Sequence, residues 1–536
     1  MNARLPLARA YALMPAAVVL LVFGGVLAHG WVNWDDPLHV LDNAQLTRLD
    51  WQGLVDLWRA PYRGLYVPVS YSMFAIEAVL GRAVSGTTTP AAIVFHALSL
   101  LLHGGCAALV VRLLRRLGAS SWAAVGGAAV FAVHPLQVES VAWISEQRGL
   151  LAGLFGLAAV DLLGRRAAPE AAWGTRASAA TACFVTALLC KPTAVVVPLL
   201  AVVMEWATGP AARWPARRFA PLIAVWLLLA AGIAGVTSRL QPVDPAVAGP
   251  LLLRPLIAGS AVAFYAVKTV APMGMCIDYG LTPLRLLADP WAVMKALTVA
   301  GVIGAVFVVP RLRPARLPVL LFVVPLLPVL GLVPFAFEAI STVADRYAYL
   351  AMLGPAAAVA AVCDTWRSRW VVGIVTAILV MLAAASIRQV PVWRDSLALN
   401  AHALAINGGT RDTFNNLGLA LLDRGAFEEA VDCFERAILL DSGYPPAHFN
   451  LGLAWHRAGR AADAEACYRE AIRLDPRYAS AHNNLGILLA QQGRTANAEQ
   501  AFRAALAIDP GCQDARANLQ RLENKPSGAR RTDQPH

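Results

Sequence analysis

The sequence predicts an all-α protein in two parts, a polytopic membrane domain followed by a helical-repeat solenoid. Three observations predict it. Of 536 residues 58% are hydrophobic and only 15% charged, with a mean hydropathy of +0.56. Apolar runs close to the ~20 residues that a membrane-crossing helix needs recur as far as Arg388. Beyond that point the triplet Asn-Leu-Gly returns every 34 residues. Soluble domains carry about 25% charged residues, so the composition excludes an ordinary soluble enzyme, and with it disorder, collagen and small disulfide scaffolds. The net charge is +11, but the cations sit mainly in short loops between apolar runs. That is the positive-inside pattern of a multi-span protein, not the patch of a nucleic-acid binder.

Taken in order, the candidate spans are 11–28, 91–111, 122–138, 141–163, 177–190, 192–207, 220–237, 252–270, 291–309, 317–334, 348–363 and 371–388. The first has Arg4 and Arg9 before its apolar run, like a signal peptide, yet no small-x-small site follows before His29. It reads as an uncleaved helix with a cytoplasmic N-terminus. Basic loops at 112–116, 164–176 and 213–218 then all fall on the cytoplasmic side. Arg311, Arg313, Arg316, Arg367 and Arg369 should fall there too. Three crossings between 219 and 310 would put Arg311 outside, so one of that group does not span. With Arg254, Tyr265 and Lys268 in it, 252–270 is the choice. About 11 spans remain, and the C-terminal part lies outside the cytoplasm.

The domains expected are 1–390 in the membrane, 391–524 as repeats, and a disordered tail at 525–536. Asn416-Leu417-Gly418, Asn450-Leu451-Gly452 and Asn484-Leu485-Gly486 mark the repeats. Gly425, Gly459 and Gly493 fall at the turn between paired helices, followed by Ala430, Ala464 and Ala498, then Phe434, Tyr468 and Phe502, then Ala437, Ala471 and Ala505. This is the tetratricopeptide pattern, in which small residues let helices approach and aromatics fill the gap beyond. Repeats at 411–444, 445–478 and 479–512 follow, with a partial helix at 395–407 before them and a polar capping helix at 513–523. The eight cysteines form no framework: most lie in apolar runs, and Cys433 and Cys467 are equivalent positions of successive repeats. Free thiols and no metal cluster are expected.

Chemistry concentrates at the outer ends of the spans. Asp35-Asp36-Pro37 lies just beyond the first helix, in a long loop at about 29–90. Adjacent carboxylates there can divide the work, one taking a proton and the other tuning its neighbour or holding the acceptor. The alternative is helix capping before Pro37. His134-Pro135-Leu136-Gln137-Val138-Glu139-Ser140 joins two apolar helices, with Glu146 and Arg148 beyond. Glu139 and Glu146, seven apart, read as one helix face. Charged groups near lipid face a wet cavity or pair with one another, so a Glu146–Arg148 or Glu139–His134 contact is the structural alternative. Lys191-Pro192 and Ala344-Asp345-Arg346-Tyr347 fall on the same outer side. Lys191, Arg346 and Arg148 could together neutralise a leaving phosphate; equally, Lys191 could snorkel and Tyr347 sit in an aromatic belt. His448 and His482, 34 apart, face a repeat groove sooner than a metal. There is no Walker-type loop, His-Glu-x-x-His, Gly-x-Ser-x-Gly or Cys-x-x-Cys.

The combination resembles the transmembrane and tetratricopeptide repeat-containing protein O-mannosyltransferases and their bacterial relatives, of the glycosyltransferase-C superfamily. The resemblance runs from Asn33 to about Cys512, and His134 through Trp143 and Ala344 through Tyr347 carry it most specifically. It implies a glycosyltransferase-C-like membrane domain that moves a monosaccharide, mannose or another hexose, from a polyprenyl-phosphate donor to Ser or Thr hydroxyls of extracytoplasmic proteins. Asp35 and Asp36 take the diacidic, catalytic position. Glu139, Glu146, Arg148, Lys191, Asp345 and Arg346 match the other charged positions, as substrate-binding residues. Where family members often carry a Lys-Asp pair, this chain has Arg148-Gly149. The resemblance implies no cofactor beyond the lipid-linked donor and leaves a divalent-metal requirement open. Partners are that donor, membrane lipids and an acceptor protein or peptide held by the repeats, with no nucleic acid. The location implied is the bacterial inner (plasma) membrane, with the repeats on the extracytoplasmic side. The competing readings are a non-catalytic membrane-anchored repeat scaffold and a related transferase acting on envelope glycan or lipid.

Overall fold

The computed structural model describes residues 4–47, 50–164, 173–208, 214–243 and 249–524. Arg165, Arg166, Arg213 and the tail expected to be disordered lie outside them. The described residues are helical apart from loops and one isolated bridge between Tyr62 and Leu65. The chain divides into two compact units between Leu399 and Asn400.

In the first unit α1 (Arg4–Phe23) runs into a 3-10 turn at Gly24–Ala28. The long loop that follows is built from a π-helical turn at Pro37–Leu41, α2 (Trp51–Arg59) and α3 (Pro68–Ser85). Asp50 caps α2 by accepting from the Gly53 amide at 2.6 Å, satisfying a donor that the first turn leaves free. α4 (Ala92–Arg116), α5 (Ser121–Val133), α6 (Val138–Ala142), α7 (Gln147–Leu163), α8 (Trp173–Cys190) and α9 (Val197–Ala207) come next. They are followed by α10 (Ala216–Leu240), α11 (Arg254–Val270), α12 (Pro283–Ala288), α13 (Ala292–Val308) and α14 (Arg316–Leu326), then α15 (Leu353–Thr365) and α16 (Arg369–Gln389); the boundary falls within α17 (Ser396–Asn407). The core is a bundle in which α4 packs on α1, α5 and α7, α5 on α15, and α7 on α8. All are apolar and Ala-rich, so their backbones satisfy themselves and approach closely.

Helical stretches at 92–116, 216–240, 251–270, 310–329 and 369–393 are long and apolar enough to cross a membrane. Shorter apolar helices cover 14–28, 192–207, 292–308 and 350–365. Two expectations need correction. The stretch 252–270, chosen as the one that does not span, belongs to a 20-residue apolar helix from Leu251 to Val270, whereas α13 has 17 residues. Its cations do not disqualify it. Arg254 is buried against the Gly331 carbonyl at 2.5 Å and Glu338 at 3.7 Å, and Lys268 bends at the helix end to the Met273 and Gly274 carbonyls. Residues 122–163 are also not two plain spans. The helix bends by 55° between Val133 and Pro135, and breaks again at Trp143.

The second unit stacks three helix pairs: α18 (Arg411–Asp423) with α19 (Phe427–Leu440), α20 (Pro445–Arg457) with α21 (Ala461–Leu474), and α22 (Ala479–Gln491) with α23 (Thr495–Ile508). α24 (Gln513–Glu523) follows. Gly418, Gly452 and Gly486 are the close-approach points: a Cβ at each would meet the ring of Phe434, Tyr468 or Phe502 at 2.6–2.8 Å. His448 and His482 hold the turns before them. Each imidazole reaches the carbonyl six residues back, Ser442 at 3.0 Å and Pro476 at 3.1 Å, as Arg516 does with Pro510 at 2.6 Å. They brace the turns between repeats.

Candidate active site

Every residue from Val130 to Arg148 is buried. Non-helical backbone of this kind is tolerated at membrane depth where protein surrounds it, and side chains pin this stretch throughout. His134 accepts from the Leu136 amide on Nδ1 (3.2 Å) and meets the Thr269 carbonyl through Nε2 (3.0 Å). This replaces the Glu139–His134 contact considered from sequence. Trp143 is extended (φ −93°, ψ 118°), so Glu139 and Glu146 do not share a helix face.

Glu139 instead reaches Arg346. Its Oε1 lies 2.5 Å from the guanidinium, and its Oε2 accepts from the Arg346 amide at 3.2 Å. The guanidinium also stacks among Phe337 (4.2 Å), Tyr347 (5.0 Å) and Trp143 (5.2 Å). Next door, Asp345 accepts from the Tyr279 hydroxyl at 2.7 Å. The Ala-Asp-Arg-Tyr turn is thereby latched to α6 on one side and to the loop after α11 on the other.

Four consecutive residues, Ser145-Glu146-Gln147-Arg148, anchor this stretch to the outer loop, to α3 and α4 and to the turn before α9. Ser145 donates its amide (2.9 Å) and hydroxyl (2.6 Å) to Asp36 Oδ1. Glu146 pairs with Lys191, at the start of the turn leading to α9. The Gln147 amide donates to Glu77 of α3 (2.9 Å) and the Phe95 carbonyl of α4 (3.1 Å). Arg148 donates to the Ser145 carbonyl (2.8 Å) and lies 3.8 Å from Asp35. The Glu146–Arg148 pair considered from sequence does not form.

The two loop aspartates are therefore unlike. Asp36 is 1% exposed and takes a third hydrogen bond from the Val32 amide at 3.2 Å. Burial pushes its carboxyl up to about 6, against the pull of these donors. The Asp35 side chain keeps a third of its surface exposed. Burial raises it too, with Arg148 and then Arg346 opposing. A turn further on, burial holds His39 near 3, so it stays neutral and hydrogen-bonds Tyr71 at 2.9 Å.

The eight expected site residues are divided by the fold. Glu146, Lys191 and Arg346 line one narrow cavity together with Gly149, Gly153 and Tyr349. Glu139 and Asp345 face a second, smaller one, with Cys276 and Trp393. Asp35 and Asp36 line neither, and join the first through Arg148 and Ser145. Each of the three cations has its own carboxylate: Arg148 with Asp35, Lys191 with Glu146, Arg346 with Glu139. Sequence reasoning missed Ser145, Gln147, Glu77 and Tyr279. The signal for the first two was present, four polar residues in a row at the head of an apolar helix. Among the described residues no three His, Cys, Asp or Glu are grouped to hold a metal ion.

Comparison with known proteins places the repeats and adds one partial relative. Residues 415–473 and 457–511 match the family model described as tetratricopeptide repeat. The protein O-mannosyl-transferase Tmtc2 of Drosophila melanogaster is 31% identical over 144 residues, 25% of this chain and 15% of that protein. The match thus spans under a sixth of that relative's length. Similar solved structures include the second TPR domain of human RPAP3 in complex with an HSP70 peptide, 26% identical over 21% of this chain and 93% of that one (TM-score 0.20). They also include YrrB, described as a TPR protein with an unusual peptide-binding site, 21% identical over 26% and 74% (TM-score 0.23).

Proposed function

We propose that this chain is a membrane glycosyltransferase that moves a hexose, mannose or another, from a polyprenyl-phosphate donor to Ser or Thr hydroxyls of extracytoplasmic proteins. The observation that carries the proposal is the run Ser145–Arg148. It brings two loop carboxylates and a lysine beside one cavity that Arg346 also lines. The partial match to an O-mannosyl-transferase supports the same reading.

Asp35 is the base in this account, because its carboxylate is partly open and hydrogen-bonded less than its neighbour's. Asp36 positions, since Ser145 and Val32 occupy its oxygens. The acceptor oxygen bonds to the anomeric carbon, its proton passes to Asp35, and the bond from that carbon to the phosphate oxygen breaks. The leaving phosphate gains a negative charge as the bond breaks, and cations at the cavity stabilise it there. Lys191 is the nearest to open space. The repeats present the acceptor, because stacked helix pairs form a concave surface suited to an extended peptide. A scaffold would need the repeats and an apolar anchor, but no carboxylates and cations converging inside the membrane unit, where such groups are costly. The test is transfer of hexose from a short polyprenyl-phosphate donor to a Ser/Thr peptide by the purified protein, with Asp35→Asn as control. Transfer by the wild type, lost in the variant, is expected; equal transfer by both would remove Asp35 from the chemistry.

A further inference from the structure

Resting on that reading, we infer that Glu146 is a displaceable internal anion. Its carboxylate occupies the phosphate seat at Lys191 between turnovers, in a notch that only glycine at position 149 leaves open. Three observations converge on it. Glu146 comes back over the first turn of α7 to reach Lys191, and both line the same cavity. A Cβ at Gly149 would overlap the Glu146 carboxylate oxygen, lie 3.1 Å from its carboxyl carbon and approach Lys191 Nζ to 3.4 Å. The backbone is therefore bare where the ion pair forms. The other two cations are differently held: Arg346 is clamped by Glu139 and three rings, and Arg148 is tied to the Ser145 carbonyl and Asp35.

Charge balance gives the pair a role. Arg148, Lys191 and Arg346 are matched one to one by Asp35, Glu146 and Glu139. A phosphodiester entering the cavity adds a negative charge that nothing there awaits, so one carboxylate must yield its cation. Glu146 is the one that stands in the cavity. Bond cleavage then turns the singly charged diester into a monoester with a second negative charge, because the bonding pair leaves with the phosphate oxygen while the acceptor's proton stays on Asp35. That product would grip Lys191 more tightly than the donor did. A carboxylate tethered one turn away competes at high effective concentration, so its return to Lys191 expels the product. Glu146 thus weakens donor binding and hastens release, and Gly149 positions it.

The test measures binding of farnesyl monophosphate, with farnesol and inorganic phosphate as comparisons, to the full-length protein in nanodiscs. The variants are Glu146→Gln, Gly149→Ala and Lys191→Gln, and melting in the same nanodiscs checks that each is folded. Glu146→Gln should bind farnesyl monophosphate about tenfold more tightly than wild type. Gly149→Ala, which keeps the carboxylate but fills its notch, should also bind more tightly. The gain should vanish when Lys191→Gln is added to Glu146→Gln. In turnover, Glu146→Gln should lower KM and kcat together, because product is retained. Phosphate-dependent binding by the wild type that Glu146→Gln leaves unchanged or weakens would overturn the displacement while sparing the proposed function. Should Glu146→Gln not fold, the same outcomes read on Gly149→Ala decide. Farnesyl monophosphate binding no better than farnesol in wild type and variants alike would overturn the phosphate seat, and the proposed function with it. Inorganic phosphate matching farnesyl monophosphate would show that the seat recognises free phosphate and not a lipid headgroup, which also overturns the inference.

Discussion

Asp35 and Asp36 are adjacent in the chain, and the fold holds them in different environments. The Asp35 carboxylate faces Arg148 at 3.8 Å with part of its surface open, while three donors occupy Asp36. Positioned acid–base groups contribute about 10²–10⁴-fold to rate, so Asp35→Asn should lower kcat by that order and leave donor binding intact. Asp36→Asn should cost less, because the Asn carbonyl can still accept from Ser145. Steady-state kinetics of the two variants decide the order, and a larger loss in Asp36→Asn would reverse the roles. A second prediction concerns pH. The Asp36 carboxyl rises from 3.8 to about 6 on folding, so the folded chain holds that proton more tightly than the unfolded one. The stability this contributes is fully present below pH 3.8 and is lost as pH rises through about 6. Thermal midpoints between pH 4 and 7 should show this slope in wild type and lack it in Asp36→Asn. Asp-Asp-Pro made the pair legible in the sequence. Which member keeps an open carboxylate was not legible, because that depends on Ser145, 109 positions away.

At the scale of elements, the broken segment from His134 to Arg148 organises the membrane unit. His134-Pro135 announced its first break, since proline has no amide to continue the helix. Nothing local announced the second, at Trp143, where the extended backbone is held by tertiary packing, the indole stacking on Trp393 at 5.9 Å. Helical spacing therefore put Glu139 and Glu146 on one face, whereas the fold sends one to Arg346 and the other to Lys191. The repeats were far more legible, because each packing solution recurs: the aromatic that fills the gap beyond one glycine does so again 34 residues later. Their tightness gives a third prediction. Gly452→Ala drives a methyl to 2.8 Å from the Tyr468 ring. Overpacking of this kind costs about 1–3 kcal/mol, read as a lowered thermal midpoint of a fragment covering 400–524. An unchanged midpoint would mean the α20–α21 pair has slack that its buried alanines do not suggest.

At the scale of the whole molecule, the division between Leu399 and Asn400 gives the two units separable roles. Deleting 411–536 should leave the membrane unit folded, since repeat helices pack mainly on their neighbours and apolar helices satisfy their own backbones. Donor binding should survive, because every proposed ligand of the phosphate precedes residue 347. Transfer to a protein acceptor should fall steeply, as the local concentration supplied by its docking surface is lost. Transfer to a short peptide at high concentration should fall much less, and equal losses for both would mean that the repeats stabilise the catalytic unit instead. The same account needs an odd number of spans, so a reporter fused after Asn524 should be active only outside the cytoplasm. Activity inside would move the repeats away from the acceptors they are proposed to hold. The central claim, that this chain glycosylates extracytoplasmic proteins through Asp35, is tested most directly by mass spectrometry of the envelope proteome. Three strains are compared: one carrying the wild-type gene, one lacking it, and one carrying Asp35→Asn. Hexose on Ser or Thr peptides should be present in the first and absent from the other two. Hexosylated peptides that persist at wild-type levels in the Asp35→Asn strain would contradict it.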